Sequence, residues 1–333
     1  MSSLYIDRKD VEIRSDGGAI VFYENNERIG TVPTAPIDRI IIKGNATITT
    51  KVLGEIGKNG IGIIILSGYQ NTPSLFFPAP HNDVTRRISQ CVLSQDREFC
   101  RLFSVALVRE KIEKQAELLD YVFQDHPQAG IEFNRRRDWV HQDANRVFDK
   151  ISLDELRGIE GHAAAAYFQA LSCVLKDSLN FTGRNKRPPT DPFNAVLSLT
   201  YTLFIAESAL AIYGAGLDPF VGFLHAADFA RYSFACDLVE PFRATADKFA
   251  MQLFKEYTLR PEDFSTTEKG CLMGKAARTR FYPAYEKAAA TWRPLIQKRA
   301  LKYASDFTTE LASRQQTVVF SDNLPDEEEH PNS

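Results

Sequence analysis

The first eighty or so residues alternate short apolar runs with turn formers. Leu4-Tyr5-Ile6, Val11-Glu12-Ile13-Arg14, Ala19-Ile20-Val21-Phe22-Tyr23 and Arg39-Ile40-Ile41-Ile42 are rich in β-branched and aromatic residues, as strands are. Asp16-Gly17-Gly18, Asn25-Asn26 and Gly44-Asn45 separate them with residues that suit tight turns. One short helix is predicted over Thr49 to Lys58, capped by Thr and stopped near Asn59-Gly60. A buried strand, Ile61-Gly62-Ile63-Ile64-Ile65-Leu66, follows it.

Pro78-Ala79-Pro80-His81-Asn82-Asp83 interrupts any periodic pattern. From Val84 the period becomes helical, and Arg87 to Phe123 carries Val92, Cys100, Phe103, Ala106, Leu107 and Ile112 at helical spacing. Further helices are expected at about 152–180, 192–214, 241–257 and 270–312. The pattern predicts an α+β chain: a small β-sandwich-like domain over 1–80, a linker at 81–85 and a larger all-α domain over 86–312. An acidic tail at 313–333 is expected to be disordered.

Composition changes this picture little. Hydrophobic content of 44% and charged content of 25% are those of a globular protein. No run of about 18 apolar residues is evident, so no membrane span is expected, and the N-terminus lacks the order of a secretory signal. Five cysteines, an odd number without a Cys-x-x-Cys pair, disfavour a disulfide framework and a zinc site, and point to a reducing cytoplasm. Net charge is −3, but base gathers locally at Arg135-Arg136-Arg137, Arg184 to Arg187 and Lys275 to Arg280, so the total does not exclude nucleic acid.

The candidate chemistry lies in the helical part. Ala164, Tyr167, Phe168 and Leu171 stand four, seven, eight and eleven residues after Glu160, which therefore shares their apolar stripe. A carboxylate there must be paired, protonated or metal-bound. His225 ends the nearly uncharged run Leu217 to Leu224. Asp237 and Glu240 are three apart and share a face if the segment is helical, although Pro241 resists that conformation at Glu240. Salt bridges, a core imidazole and a helix cap account for each residue singly. Together, one imidazole and two or three carboxylates suit Mg²⁺ or Mn²⁺ better than zinc, and such ions serve phosphoryl transfer. No phosphate loop, dinucleotide fingerprint or nucleophile elbow competes.

Several blocks occur in one order. They are Gly158-Ile159-Glu160-Gly161, Tyr167-Phe168, Arg184, Arg187-Pro188-Pro189-Thr190-Asp191-Pro192-Phe193-Asn194, Gly216-Leu217-Asp218-Pro219, Gly222-Phe223-Leu224-His225 and Asp237-Leu238-Val239-Glu240-Pro241-Phe242-Arg243. The series resembles the CRISPR-associated protein one family, the spacer-acquisition integrases and endonucleases. The resemblance implies a β-domain that helps form a homodimer and a catalytic helical domain with a divalent metal, Mg²⁺ or Mn²⁺. It implies Glu160, His225 and Glu240 as ligands and Asp237 as a further catalytic carboxylate; some members carry Asp where this chain has Glu240. The implied reaction joins the 3′-hydroxyl of protospacer DNA into a CRISPR repeat. Double-stranded DNA and CRISPR-associated protein two, in a heterohexamer, are the implied partners. On this reading Arg184, Lys186, Arg187, Lys275, Arg278, Arg280, Arg293 and Lys298 are expected to hold DNA phosphates, and Asn194 and Arg243 to brace the site. A structure-specific repair nuclease for branched DNA and a non-catalytic DNA-binding scaffold are the alternatives.

Overall fold

The computed structural model describes residues 2–68, 71–78, 81–185, 188–225 and 232–321. Six strands come first: β1 (Ser2–Ile6), β2 (Val11–Asp16), β3 (Ala19–Glu24), β4 (Glu27–Pro33), β5 (Ile37–Lys43) and β6 (Ala46–Ile48). Helix α1 (Thr50–Lys58), β7 (Gly62–Ser67) and β8 (Thr72–Phe76) follow. They build two four-stranded sheets, in the orders β4-β3-β2-β6 and β1-β5-β7-β8. In the second sheet β1, β5 and β7 run parallel, with β8 antiparallel on β7.

That parallel pairing explains the continuous isoleucine runs, because both sheet faces are covered. Ile40, Ile42 and Ile63 join Val11, Ile13, Ile20 and the α1 residues Val52 and Ile56 in one core shared by both sheets. Ile41, Ile64 and Leu66 point the other way and join the core of the helical part. The strands missing from the sequence reading are β4, β6 and β8. All three are sheet edges carrying charge, glycine or proline, or only three residues long, and so show no clean alternation.

The helical part contains α2 (Thr85–Leu93), α3 (Arg97–Asp125), α4 (Gly130–Arg146), α5 (Leu153–Ser172), α6 (Pro192–Gly214), α7 (Ser233–Val239), α8 (Arg243–Lys255) and α9 (Lys275–Ser321). The expected run from Arg87 to Phe123 breaks before Arg97, where Asp96 caps α3 by accepting the N–H groups of Glu98 and Phe99. α5 stops at Ser172 rather than near residue 180, and a single 3-10 turn, Asp177–Leu179, follows. α6 spans the expected 192–214, with Asp191 as its cap and Pro192 in its first turn.

A hairpin, β9 (Phe264–Thr267) and β10 (Gly270–Met273), replaces the start of the helix expected from residue 270. Gly270 has φ +104° and lies so close to Pro188 and Pro189 that a Cβ would stand 2.6 Å from Pro188 Cβ. Beyond residue 312, α9 continues to Ser321 instead of dissolving into the tail. Arg314 holds that end, pairing with Glu310 at 2.7 Å and with Asp96. Residues 322–333, the acidic part of the expected tail, lie outside the described residues.

One correction concerns α6. Among the described residues it alone is long and apolar enough to cross a membrane, with a mean hydropathy of 1.7, yet 67% of that window is buried inside the fold. A helix apolar all round is what a core centre requires, and α6 packs against α7, α8 and α9.

Candidate metal centre

Three elements bring the predicted residues together. α5 starts with a capping box in which Ser152 Oγ accepts the Glu155 N–H and the Glu155 carboxylate accepts the Ser152 N–H. Ile159, Ala163, Ala166, Tyr167 and Ala170 then face the core, with Glu160 on the flank of that stripe. Its Oε1 lies 2.5 Å from Lys111 Nζ on α3. α7 ends at Val239, Glu240–Phe242 make one 3-10 turn, and α8 begins at Arg243. Glu240 keeps helical dihedrals (φ −51°, ψ −47°), so Pro241 changes the type of helix rather than extending the chain. Glu240 is 2% exposed; Arg243 Nη2 donates to its Oε1 at 2.8 Å. Its Oε2 meets Lys111 Nζ at 2.7 Å, a contact without hydrogen-bond geometry.

His225 is aimed by Asp237. The buried Asp237 carboxylate accepts the backbone N–H groups of Phe223, Leu224 and His225 at 2.7, 3.1 and 3.0 Å. It also accepts from His225 Nδ1 at 2.6 Å. Gly222 permits this wrap, since a Cβ there would stand 2.6 Å from His225 O and 3.0 Å from Asp237 Oδ2. With Nδ1–H engaged, the neutral ring carries its lone pair on Nε2. Nε2 faces Glu240 Oε1 at 3.9 Å.

The charges are strongly coupled. Burial pushes the Glu240 carboxyl up, but Arg243 and Lys111 outweigh it and hold it well below the usual carboxylate range. Burial opposes the charge of Lys111, yet Glu240 and Glu160 raise its pKa, and Glu240 does the same for Arg243. Behind them, the Arg243 guanidinium lies 4.7 Å over the Tyr201 ring. The hydroxyls of Tyr201 and Tyr167 both donate to the fully buried Asp247.

Burial pushes Asp247 up to about 6, against the lowering effect of its two tyrosine bonds. A carboxyl raised in the folded state contributes stability below its unfolded value that is lost as pH rises through the folded one. Asp247→Asn is therefore expected to flatten the stability profile between about 4 and about 6. Urea unfolding across that window checks it; a profile unchanged by the substitution contradicts it.

The other predicted residues divide. Asn194 is fully buried, donates to Gly183 O and Asp191, and accepts from Arg184 and the Asn185 N–H. Arg184 is engaged internally, donating to Asn194 Oδ1 and Ser198 Oγ and lying 5.3 Å over Tyr201. Arg293, expected on the DNA track, is 5% exposed and held by Glu207 and Glu286. Arg278 pairs with Asp7 at 2.7 Å and Arg280 with Asp263 at 2.5 Å. Lys275 and Lys298 are exposed. Lys186 and Arg187 lie outside the described residues.

Sequence reading missed Lys111, Tyr201 and Asp247. Lys111 had a readable signal, a lysine amid the buried Leu107, Val108, Ile112 and Gln115 of α3. The ring-and-carboxylate chain behind Arg243 had none, since its members come from three helices.

A family model for CRISPR associated protein Cas1 matches residues 4–287. The chain belongs to that family. Among its relatives, CRISPR-associated endonuclease Cas1 1 of Thermodesulfovibrio yellowstonii is 37% identical over 304 residues, which cover 89% of this chain and 95% of that protein. The fold is similar to that of a casposase bound to integration product, with a TM-score of 0.82 at 21% identity over 93% of this chain and 91% of that one. It is also similar to a chain of a Cas6-RT-Cas1–Cas2 complex, with a TM-score of 0.77 at 18% identity, covering 93% of this chain and 35% of that one.

Proposed function

We propose that this chain is a CRISPR adaptation integrase and DNA endonuclease that joins the 3′-hydroxyl ends of protospacer DNA into the repeat of a CRISPR array. Membership of the Cas1 family supports the reaction class. The observation that carries the assignment to residues is the convergence of Glu160 and Glu240 on the ammonium of Lys111, with His225 Nε2 facing Glu240 Oε1 at 3.9 Å.

These three would hold Mg²⁺ or Mn²⁺. Among the described residues no three His, Cys, Asp or Glu groups are drawn close enough to hold an ion as they stand. Two features nevertheless fit one: Glu240 Oε2 is buried without a hydrogen bond, and a cationic head already stands between the carboxylates. Hard oxygen donors with one imidazole suit these ions. When bound, the ion supplies charge stabilisation at the phosphodiester and at the departing oxygen.

The protein's own groups do the positioning. Asp237 fixes the His225 tautomer and presents Nε2, and Arg243 anchors one oxygen of Glu240 and leaves the other, paired with Lys111, to ligate. Asp237 is thus a positioning residue rather than a ligand, since both its oxygens are occupied. In the joining step the incoming 3′-oxygen forms a bond to phosphorus as the repeat's own 3′-oxygen leaves. Holding the two ends in line supplies much of the acceleration.

The same reading assigns double-stranded DNA as substrate, with Lys275 and Lys298 among the phosphate contacts. It assigns a homodimer through a sandwich-like N-terminal domain over 1–80, linked to a catalytic domain that begins at α2. Cas2 is the companion in a heterohexamer, and the cytoplasm is the compartment. The two sheets' shared core and the Cas1–Cas2 neighbour support these assignments.

The experiment supplies the chain and its companion with a repeat-bearing plasmid and a short duplex with free 3′ ends. Joining in Mg²⁺ or Mn²⁺ and none in EDTA is expected. Cleavage of branched DNA without joining would favour a repair nuclease, and metal-indifferent DNA binding without cleavage would favour a scaffold.

A further inference from the structure

We propose that Lys111 is the resting counter-ion of the metal centre, a built-in cation that holds Glu160 and Glu240 together and is exchanged for the divalent ion. The inference rests on the metal-centre reading above and extends it to a residue outside the ligand set. Lys111 is 8% exposed, and its Nζ stands 2.5 Å from Glu160 Oε1 and 2.7 Å from Glu240 Oε2. Its stem runs among the buried Leu107, Val108, Ile112 and Gln115, so the ammonium is the only polar part it brings to the site.

Charge balance gives the reason for an exchange. Glu160 and Glu240 carry two negative charges, and Lys111 and Arg243 carry two positive ones. A divalent ion entering among the same oxygens takes the cluster from neutral to two excess positive charges, and the withdrawal of one cation halves that excess. Arg243 is poorly placed to do so: its planar head is bonded to Glu240 and lies 4.7 Å over Tyr201. Lys111 ends in a compact point charge on a flexible stem, the better group for a swing of a few ångströms. Ammonium and metal thus compete for the same two carboxylates. Without metal, Lys111 prevents their mutual repulsion from opening the site; with metal, it sets the concentration at which the ion enters.

The test is Mn²⁺ binding to the full-length, DNA-free protein by isothermal titration calorimetry, paired with thermal melting in EDTA. Lys111→Met removes the competitor, so Mn²⁺ affinity is expected to rise on the order of tenfold. Its melting temperature in EDTA should fall and recover with Mn²⁺, because the buried Glu240 and the half-buried Glu160 lose a partner. A Lys111→Met protein that folds only with Mn²⁺ supports the exchange as well. Lys111→Arg keeps the charge but seats a planar, forked head that is harder to displace, and Mn²⁺ affinity should drop severalfold. Unchanged or weaker Mn²⁺ binding by folded Lys111→Met, or unchanged binding by Lys111→Arg, overturns the exchange while leaving the metal centre intact. Mn²⁺ binding untouched by Glu240→Gln would sink the metal-centre reading itself, and this inference with it.

Discussion

Glu240→Gln is expected to lower strand joining by about a thousandfold or more while the protein stays folded. A metal ion supplies several kcal/mol of transition-state stabilisation, and each 1.4 kcal/mol or so is tenfold in rate. Gln keeps the shape of the side chain and one oxygen for Arg243, but removes the charge that the proposed ligand role of Oε2 requires. Alanine is the poorer probe. It would strand Arg243 as a buried cation and leave Lys111 with Glu160 alone, and breaking such a pair costs about 3–5 kcal/mol, so lost activity would be mixed with lost structure. Initial joining rates at saturating Mn²⁺, alongside thermal melting, separate the two effects. Near-normal joining by folded Glu240→Gln would remove Glu240 from the ligand set.

The second large effect is at Asp237. One carboxylate there accepts three backbone N–H groups and the His225 ring. Asp237→Ala leaves three backbone donors without their acceptor, that of Phe223 buried and those of Leu224 and His225 partly so, at up to about 1–3 kcal/mol each, so a loss of about 3 kcal/mol is expected and checked by urea unfolding. Asp237→Asn is milder and more informative. It keeps an acceptor but turns the other atom into a donor facing a backbone N–H, which disturbs the loop that carries His225. Weakening the group that orients a metal-binding histidine typically costs 10–100-fold in affinity, and that is the expected drop for Mn²⁺. The contrast with Glu240 is the point: abolished Mn²⁺ binding in a folded Asp237→Asn protein would make Asp237 a ligand.

The sequence read well wherever one periodic face sufficed. The isoleucine runs of β5 and β7 and the uninterrupted apolar text of α6 were legible because their burial is local and continuous. The edges β4, β6 and β8 were not, since pairing rather than side-chain pattern holds them. The hairpin at Phe264–Met273 depends on Gly270 meeting Pro188 and Pro189, a contact between residues about eighty positions apart. In the site, Glu160 was visible as a carboxylate on a buried face, and the ordered blocks linked it to His225 and Glu240. Its salt-bridge partner, Lys111, lies on a different helix and was not read. Arg184 and Arg293 look like DNA contacts in one dimension, yet the fold spends both on internal partners. Charge in a sequence gives no hint of which arginines the core will claim.

The most direct test of the account is an anomalous difference map from a crystal of the protein soaked in Mn²⁺. The account predicts one peak bounded by Glu160, His225 Nε2 and Glu240 Oε2, at roughly the 2.0–2.3 Å typical of such ligands, with Lys111 moved off the carboxylates and Asp237 still bonded to His225 Nδ1. A map without a peak there, or with Mn²⁺ elsewhere and the Lys111 ammonium still between Glu160 and Glu240, would contradict it.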